Sequence, residues 1–180
     1  NGIACLAENM PGSGSYRPGD VFKTYSGKTV EVYSTDAEGR NVLADGLWKA
    51  GEFDPEYIVD LATLTGAIVV ALGNQITGMW SNDELLAERI ERSAKACGEQ
   101  MWRMHLNDQF RRYMTDTPFA DIRNGSSGGR AGSSNGAAAF LEFFVPTRNY
   151  EEDADKLPWV HLDIAGTAWG PGSKAGTERE

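Results

Sequence analysis

Apolar and polar residues alternate through Thr29-Val30-Glu31-Val32-Tyr33, the two-residue period of a strand with one buried face. Residues 36–39 then read as a turn, and Val42, Leu43, Leu47 and Trp48 recur at helical spacing until Gly51. A second strand is predicted over Tyr57-Ile58-Val59-Asp60-Leu61, entered from the Asp54-Pro55 turn. The apolar run 67–72, bounded by Gly66 and Gly73, is short enough to be strand or helix, and periodicity does not choose between them. Asn82 or Asp83 caps a predicted helix with apolar positions Leu85, Leu86, Ile90 and Ala94, which closes near Gly98. A strongly apolar helix is predicted over 136–145 and a last strand over 159–164. Strands and helices alternating in this way predict an α/β domain with a central, mostly parallel β-sheet flanked by helices. Ligands of such sheets sit at the carboxyl ends of strands, here the loops after Tyr33 and after Leu61.

Composition narrows the function. With 41% hydrophobic residues and five tryptophans, the 180-residue chain has enough apolar surface for one packed domain. A net charge of −9 offers no basic face, so no nucleic-acid partner is expected, and the acidic balance reads as solubility. No apolar run is long enough to span a membrane, and no secretory leader pattern stands at the start. Cys5 and Cys97 match no zinc pattern and read as reduced core thiols of a cytosolic protein.

The candidate chemistry lies in Ser34-Thr35-Asp36-Ala37-Glu38-Gly39-Arg40. Two carboxylates two residues apart, after a strand and before a helix, can reach one hard or borderline cation such as magnesium, manganese or zinc. Arg40 adds a fixed positive charge beside them. Spacing alone also allows a plainer account, in which both acids answer the helix dipole and Arg40 is their ion-pair partner.

The hexapeptide Thr35-Asp36-Ala37-Glu38-Gly39-Arg40 resembles the signature of the leucyl (cytosol) aminopeptidase family. Glu8-Asn9-Met10-Pro11 and Tyr16-Arg17-Pro18-Gly19-Asp20 resemble the segment leading into it. Asp60-Leu61-Ala62-Thr63-Leu64-Thr65-Gly66-Ala67 and His161-Leu162-Asp163-Ile164-Ala165-Gly166-Thr167-Ala168-Trp169 resemble the two later blocks, in order.

That resemblance implies a partial catalytic domain over 1–180, cut short at both ends. It implies Asp36 and Glu38 as ligands of two divalent ions (manganese or zinc, with magnesium a further candidate), Glu38 bridging them. Arg40 would be catalytic, holding a bicarbonate-like anion or an activated water. Thr63, Leu64, Gly66 and Ala165 would bind substrate, with Leu64 acting through its backbone. The implied activity is release of N-terminal, leucine-like residues from peptides by a cytoplasmic homohexamer. Ser34 stands where the family usually has Asn, which puts the hydrogen bonding at the strand end in question. The family's metal-binding lysine, two further aspartates and catalytic lysine belong to segments upstream of Asn1. The rival expectation is therefore a catalytically incomplete fragment or scaffold module that keeps the fold and subunit contacts.

Other residues invite plainer readings. His105 and His161 lack any zinc spacing, and His161 reads as a satisfied core histidine. Asp60 and Asp163 sit inside strands and read as buried caps or ion pairs before they read as ligands. The Gly- and Ser-rich stretch 124–136 has no phosphate-loop pattern and reads as a flexible loop near the site mouth.

Overall fold

The computed structural model describes residues 1–125, 131–151 and 154–169. Two sheets form. The smaller has the order β1 (Val21–Lys23), β2 (Thr29–Glu31), β6 (Ile122–Arg123), with β1 antiparallel and β6 parallel to β2. The larger has the order β3 (Ile58–Ala62), β7 (Trp159–Asp163), β4 (Ile76–Ser81), β5 (Gln100–Arg103). Its β3–β7 and β4–β5 pairs are parallel and its β4–β7 pair is antiparallel, so the sheet is mixed.

Helices cover both faces of the larger sheet, which is why β7 is buried along its whole length. Its alternate residues part to the two sides. Val160 and Leu162 pack with Met79 under α3 (Glu84–Cys97), while Trp159 packs with Phe140 and Phe144 at α5 (Ser133–Glu142). Helix α5 is almost wholly buried, between α1 (Glu38–Gly51), α2 (Gly66–Leu72) and α4 (Asp108–Thr115).

The ambiguous run 67–72 is helical. The Thr65 hydroxyl accepts the Ile68 N–H and so starts α2 before a strand can form. Of the two candidates, Asp83 caps α3 by accepting the Leu86 N–H at 2.7 Å, and Gly98 ends that helix in the left-handed region at φ 79. Helix α5 starts and stops three residues earlier than predicted: Phe144 and Val145 are core residues of the turn that follows it, and Phe143 packs against that core half-buried. Strands β1, β4, β5 and β6 and helix α4 were not predicted. Among the described residues, no helix is long and apolar enough to cross a membrane.

Candidate active site

Strand β2 ends at Glu31, and the chain turns through Tyr33 and Ser34 into a short 3-10 turn, Thr35–Ala37, that runs on into α1. Asp36 is exposed on that turn and Glu38 is half-buried as the first residue of α1. One Glu38 oxygen accepts from the Asn9 amide at 3.0 Å. Arg40, two residues further, directs Nη1 at the Asn124 carbonyl at 2.8 Å, while its Nε is buried without a partner. Burial pulls the Arg40 pKa down to about 10, against the opposing pull of the Asp163, Glu38 and Asp36 charges, and leaves it cationic at neutral pH.

The second loop follows β3. Asp163, at the end of the neighbouring β7, is 1% exposed and ties this loop down. Its Oδ1 accepts the N–H groups of Leu64 (3.1 Å), Thr65 (3.4 Å) and Ala165 (3.2 Å), and its Oδ2 accepts the Thr65 hydroxyl at 2.6 Å. Asp163 is thus a buried cap, as its place in a strand suggested. Asp60 is committed as well, with Oδ1 2.6 Å from His161 Nδ1 and Oδ2 accepting from Trp159 Nε1 at 2.7 Å. His161 lies between Trp80 and Trp159, a core histidine with its partner.

The two loops meet at one cavity of about 1050 Å³ between α1 and β3. Asp36, Glu38, Gly39, Arg40, Thr63 and Leu64 are among the residues that line it, and a Cβ at Gly39 would stand 4.0 Å from Leu64 Cδ1. The loops after β2 and β3 are those singled out at the carboxyl ends of strands. Gly66 and Ala165 stand apart. Gly66 is exposed at the start of α2, and Ala165 packs against the group of Ile68, Trp80 and Ala138.

Two carboxylates and a half-buried cation suit part of the oxygen donor set of a divalent ion with an anion beside it. Among the described residues, no three His, Cys, Asp or Glu side chains converge on one point. His105 is exposed and takes no part in this cavity. Residues 126–130 of the Gly- and Ser-rich stretch lie outside the described residues. Asn124, at its start, was not singled out, yet its carbonyl holds Arg40. No local pattern in Ile122-Arg123-Asn124 hinted at such a part.

The family model described as cytosol aminopeptidase family, catalytic domain, matches residues 1–180. Probable cytosol aminopeptidases of Xanthobacter autotrophicus and Cenarchaeum symbiosum are 49% and 50% identical, each over 93% of this chain. The chain spans 31% and 32% of their lengths, about a third of each. Among solved structures, a mutant of tomato leucine aminopeptidase superposes with a TM-score of 0.82 at 41% identity. That match covers 91% of this chain and 30% of the tomato protein. Sequence, fold and the order of the motifs agree, and the chain belongs to the cytosol aminopeptidase family.

Proposed function

We propose that this chain supplies the Asp36, Glu38 and Arg40 part of a two-metal site that releases N-terminal residues from peptides. The observation that carries the reading is the shared cavity: both carboxylates, Arg40 and the Thr63-Leu64 loop all line it. Asp36 and Glu38 would hold two divalent ions, manganese or zinc, with magnesium a further candidate. Two such ions supply Lewis-acid polarisation of the scissile carbonyl and a water of near-neutral pKa.

The remaining work falls to the chain. Asn9 fixes one oxygen of Glu38 and so orients the carboxylate. The buried, unpartnered Nε of Arg40 offers a charged donor to a bicarbonate-like anion or to the oxygen on which negative charge develops. Leu64 presents its backbone to the substrate from a loop that Asp163 holds still, with Thr63 beside it. Gly66 and Ala165, outside the cavity lining, would bear on the substrate's first side chain only through the shape of that loop. The family's naming and fold support a cytosolic homo-oligomer, a hexamer by resemblance, that takes peptides with leucine-like first residues.

The test is Glu38→Gln in the full-length protein, assayed with leucine-4-nitroanilide at saturating manganese. An amide cannot neutralise two cations, so kcat should fall by at least the ~100-fold that loss of an outer-shell partner can cost. Near-normal turnover would end the reading. The second reading, an incomplete catalyst, concerns the 180 residues alone, where no three ligating side chains converge among those described. This chain by itself should show no turnover and only weak manganese binding by calorimetry.

A further inference from the structure

We propose that Asn124 is a positioning residue for the acid-bearing loop, fixing the strand end from which Asp36 and Glu38 project. The inference rests on the two-metal reading above. Strand β6 pairs with β2 only through Ile122 and Arg123, and the Asn124 N–H adds one more rung by donating to the Glu31 carbonyl at 3.0 Å. Beyond that point the side chain takes over from the backbone. Its Oδ1 accepts the N–H groups of Tyr33 (2.8 Å) and Ser34 (3.0 Å), and its Nδ2 donates to the Ser34 carbonyl at 2.9 Å. The Asn124 carbonyl accepts from Arg40. Every polar group of a fully buried residue is therefore used, all but one of them on the 33–40 segment.

The neighbours of Asn124 grip the same corner. The Arg123 guanidinium lies 5.1 Å from the centre of the Tyr33 ring, and a Cβ at Gly125 would stand 3.0 Å from Tyr33 Cδ1. Three consecutive residues thus close on Tyr33, two positions before the turn that bears Asp36. The amide orientation is fixed by its partners, since a reversed amide would aim its N–H groups at two N–H donors. The Ser34 departure from the family's Asn is answered by the same geometry. The bonds at the strand end are made by the Ser34 backbone, and its side chain caps nothing.

The experiment compares full-length wild type, Asn124→Ala, Asn124→Asp and Glu38→Gln. Hydrogen exchange of residues 31–40 is measured without metal, and kcat, KM and the manganese concentration for half-activation are measured with it. Asn124→Ala should expose the Tyr33 and Ser34 amides to rapid exchange. It should raise the manganese requirement by about 10–100-fold, as loss of an outer-shell partner does, with KM changed by less than about threefold. Asn124→Asp keeps the acceptor but sets a second oxygen against the Ser34 carbonyl, so it should fall between wild type and Ala, and it serves if the Ala variant does not fold. Unchanged exchange in both variants overturns the inference. So does faster exchange with wild-type kcat and manganese dependence, which would leave Asn124 merely structural. Wild-type turnover by Glu38→Gln would remove the two-metal reading itself; its loss there, beside wild-type manganese dependence in both Asn124 variants, overturns the positioning role alone.

Discussion

Replacing Asp163 by alanine should destabilise the protein by about 3–5 kcal/mol, and replacing it by asparagine by only about 1–2 kcal/mol. The difference follows from what the carboxylate touches. Alanine removes the acceptor of three N–H groups, those of Leu64, Thr65 and Ala165, and one partner of the Thr65 hydroxyl. The hydroxyl keeps its 2.9 Å contact with Ser134 Oγ, and Leu64 borders the cavity, where water can reach its N–H. Two donors remain in a dry setting, and each unmade bond there costs about 1–3 kcal/mol. Asparagine keeps Oδ1 as acceptor and presents Nδ2 to the Thr65 hydroxyl, which accepts it beside the Ile68 N–H once its own hydrogen turns to Ser134 Oγ. Only the charge-assisted part of the bonds is lost. In a chain of this size about 2–4 °C of Tm accompanies each kcal/mol, so alanine should cost roughly 10 °C and asparagine a few degrees. Urea unfolding followed by tryptophan fluorescence, with calorimetric Tm, measures both. Asparagine as harmful as alanine would refute the hydrogen-bond account, and would mean that Asp163 matters as the leading negative charge opposing the desolvation of Arg40.

Asp60→Ala should destabilise by about 3–5 kcal/mol, since it strands a buried histidine and an indole N–H, while manganese titration of the full-length enzyme stays at wild type. A fall in metal affinity there would make Asp60 a ligand after all. Gly166→Ala should cost more than Gly78→Ala. A Cβ at 166 would stand 2.2 Å from the Gly73 carbonyl oxygen, whereas one at 78 meets the movable tip of Ile68 at 2.5 Å and should cost about 1–3 kcal/mol. Equal melting temperatures would refute that ranking. The Thr29 N–H and hydroxyl hold the Asp121 carboxyl below its usual range, so its bond stabilises fully above the unfolded value of about 3.9 and is lost as pH falls through the lower folded value. Asp121→Ala should therefore lower Tm at pH 7 and lower it progressively less as the pH falls below the unfolded value, as scanning calorimetry across that range can show.

The elements legible in the sequence are those whose burial repeats with their own period. Helix α1 buries Asn41, Ala44 and Leu47, and α3 buries Leu86, Ala87 and Ala94, each within a helical stripe. Strand β4 was hidden because Gly78 and Ser81 weaken the strand pattern, yet Gly78 is there because Ile68 packs where a Cβ would sit. Strand β5, four residues at the sheet edge, alternates only between exposed and half-buried. Helix α5 was misplaced because apolarity marks burial and not backbone shape. Its true start follows Gly132, at φ 63, where a Cβ would approach the Phe110 ring to 2.6 Å. The acids of the site were legible because they lie within one short motif. The residues that hold the loops were not, because Asn124 reaches Ser34 across 90 positions and Asp163 reaches Leu64 across 99.

Those two holding residues differ in chemistry for a reason that the loops themselves set. Each loop begins where a strand's ladder runs out, and its first backbone groups would otherwise face the interior unpaired. After β2 the corner presents two N–H groups and one carbonyl, and a neutral amide, accepting twice and donating once, matches that set. After β3 the partners are two N–H groups and a hydroxyl, joined by the Ala165 N–H after β7, donors only, and a carboxylate matches them with no donor of its own to strand. Charge follows the same division. A carboxylate at 124 would add a third negative group beside the segment that already carries Asp36 and Glu38, at a point where its donor is needed. At 163 the negative charge lies where it offsets the burial of Arg40. Both loops are thus fixed by groups inside the fold, independent of any ligand. A ligand entering between Glu38 and Leu64 would meet a corner already in place and would not have to order it.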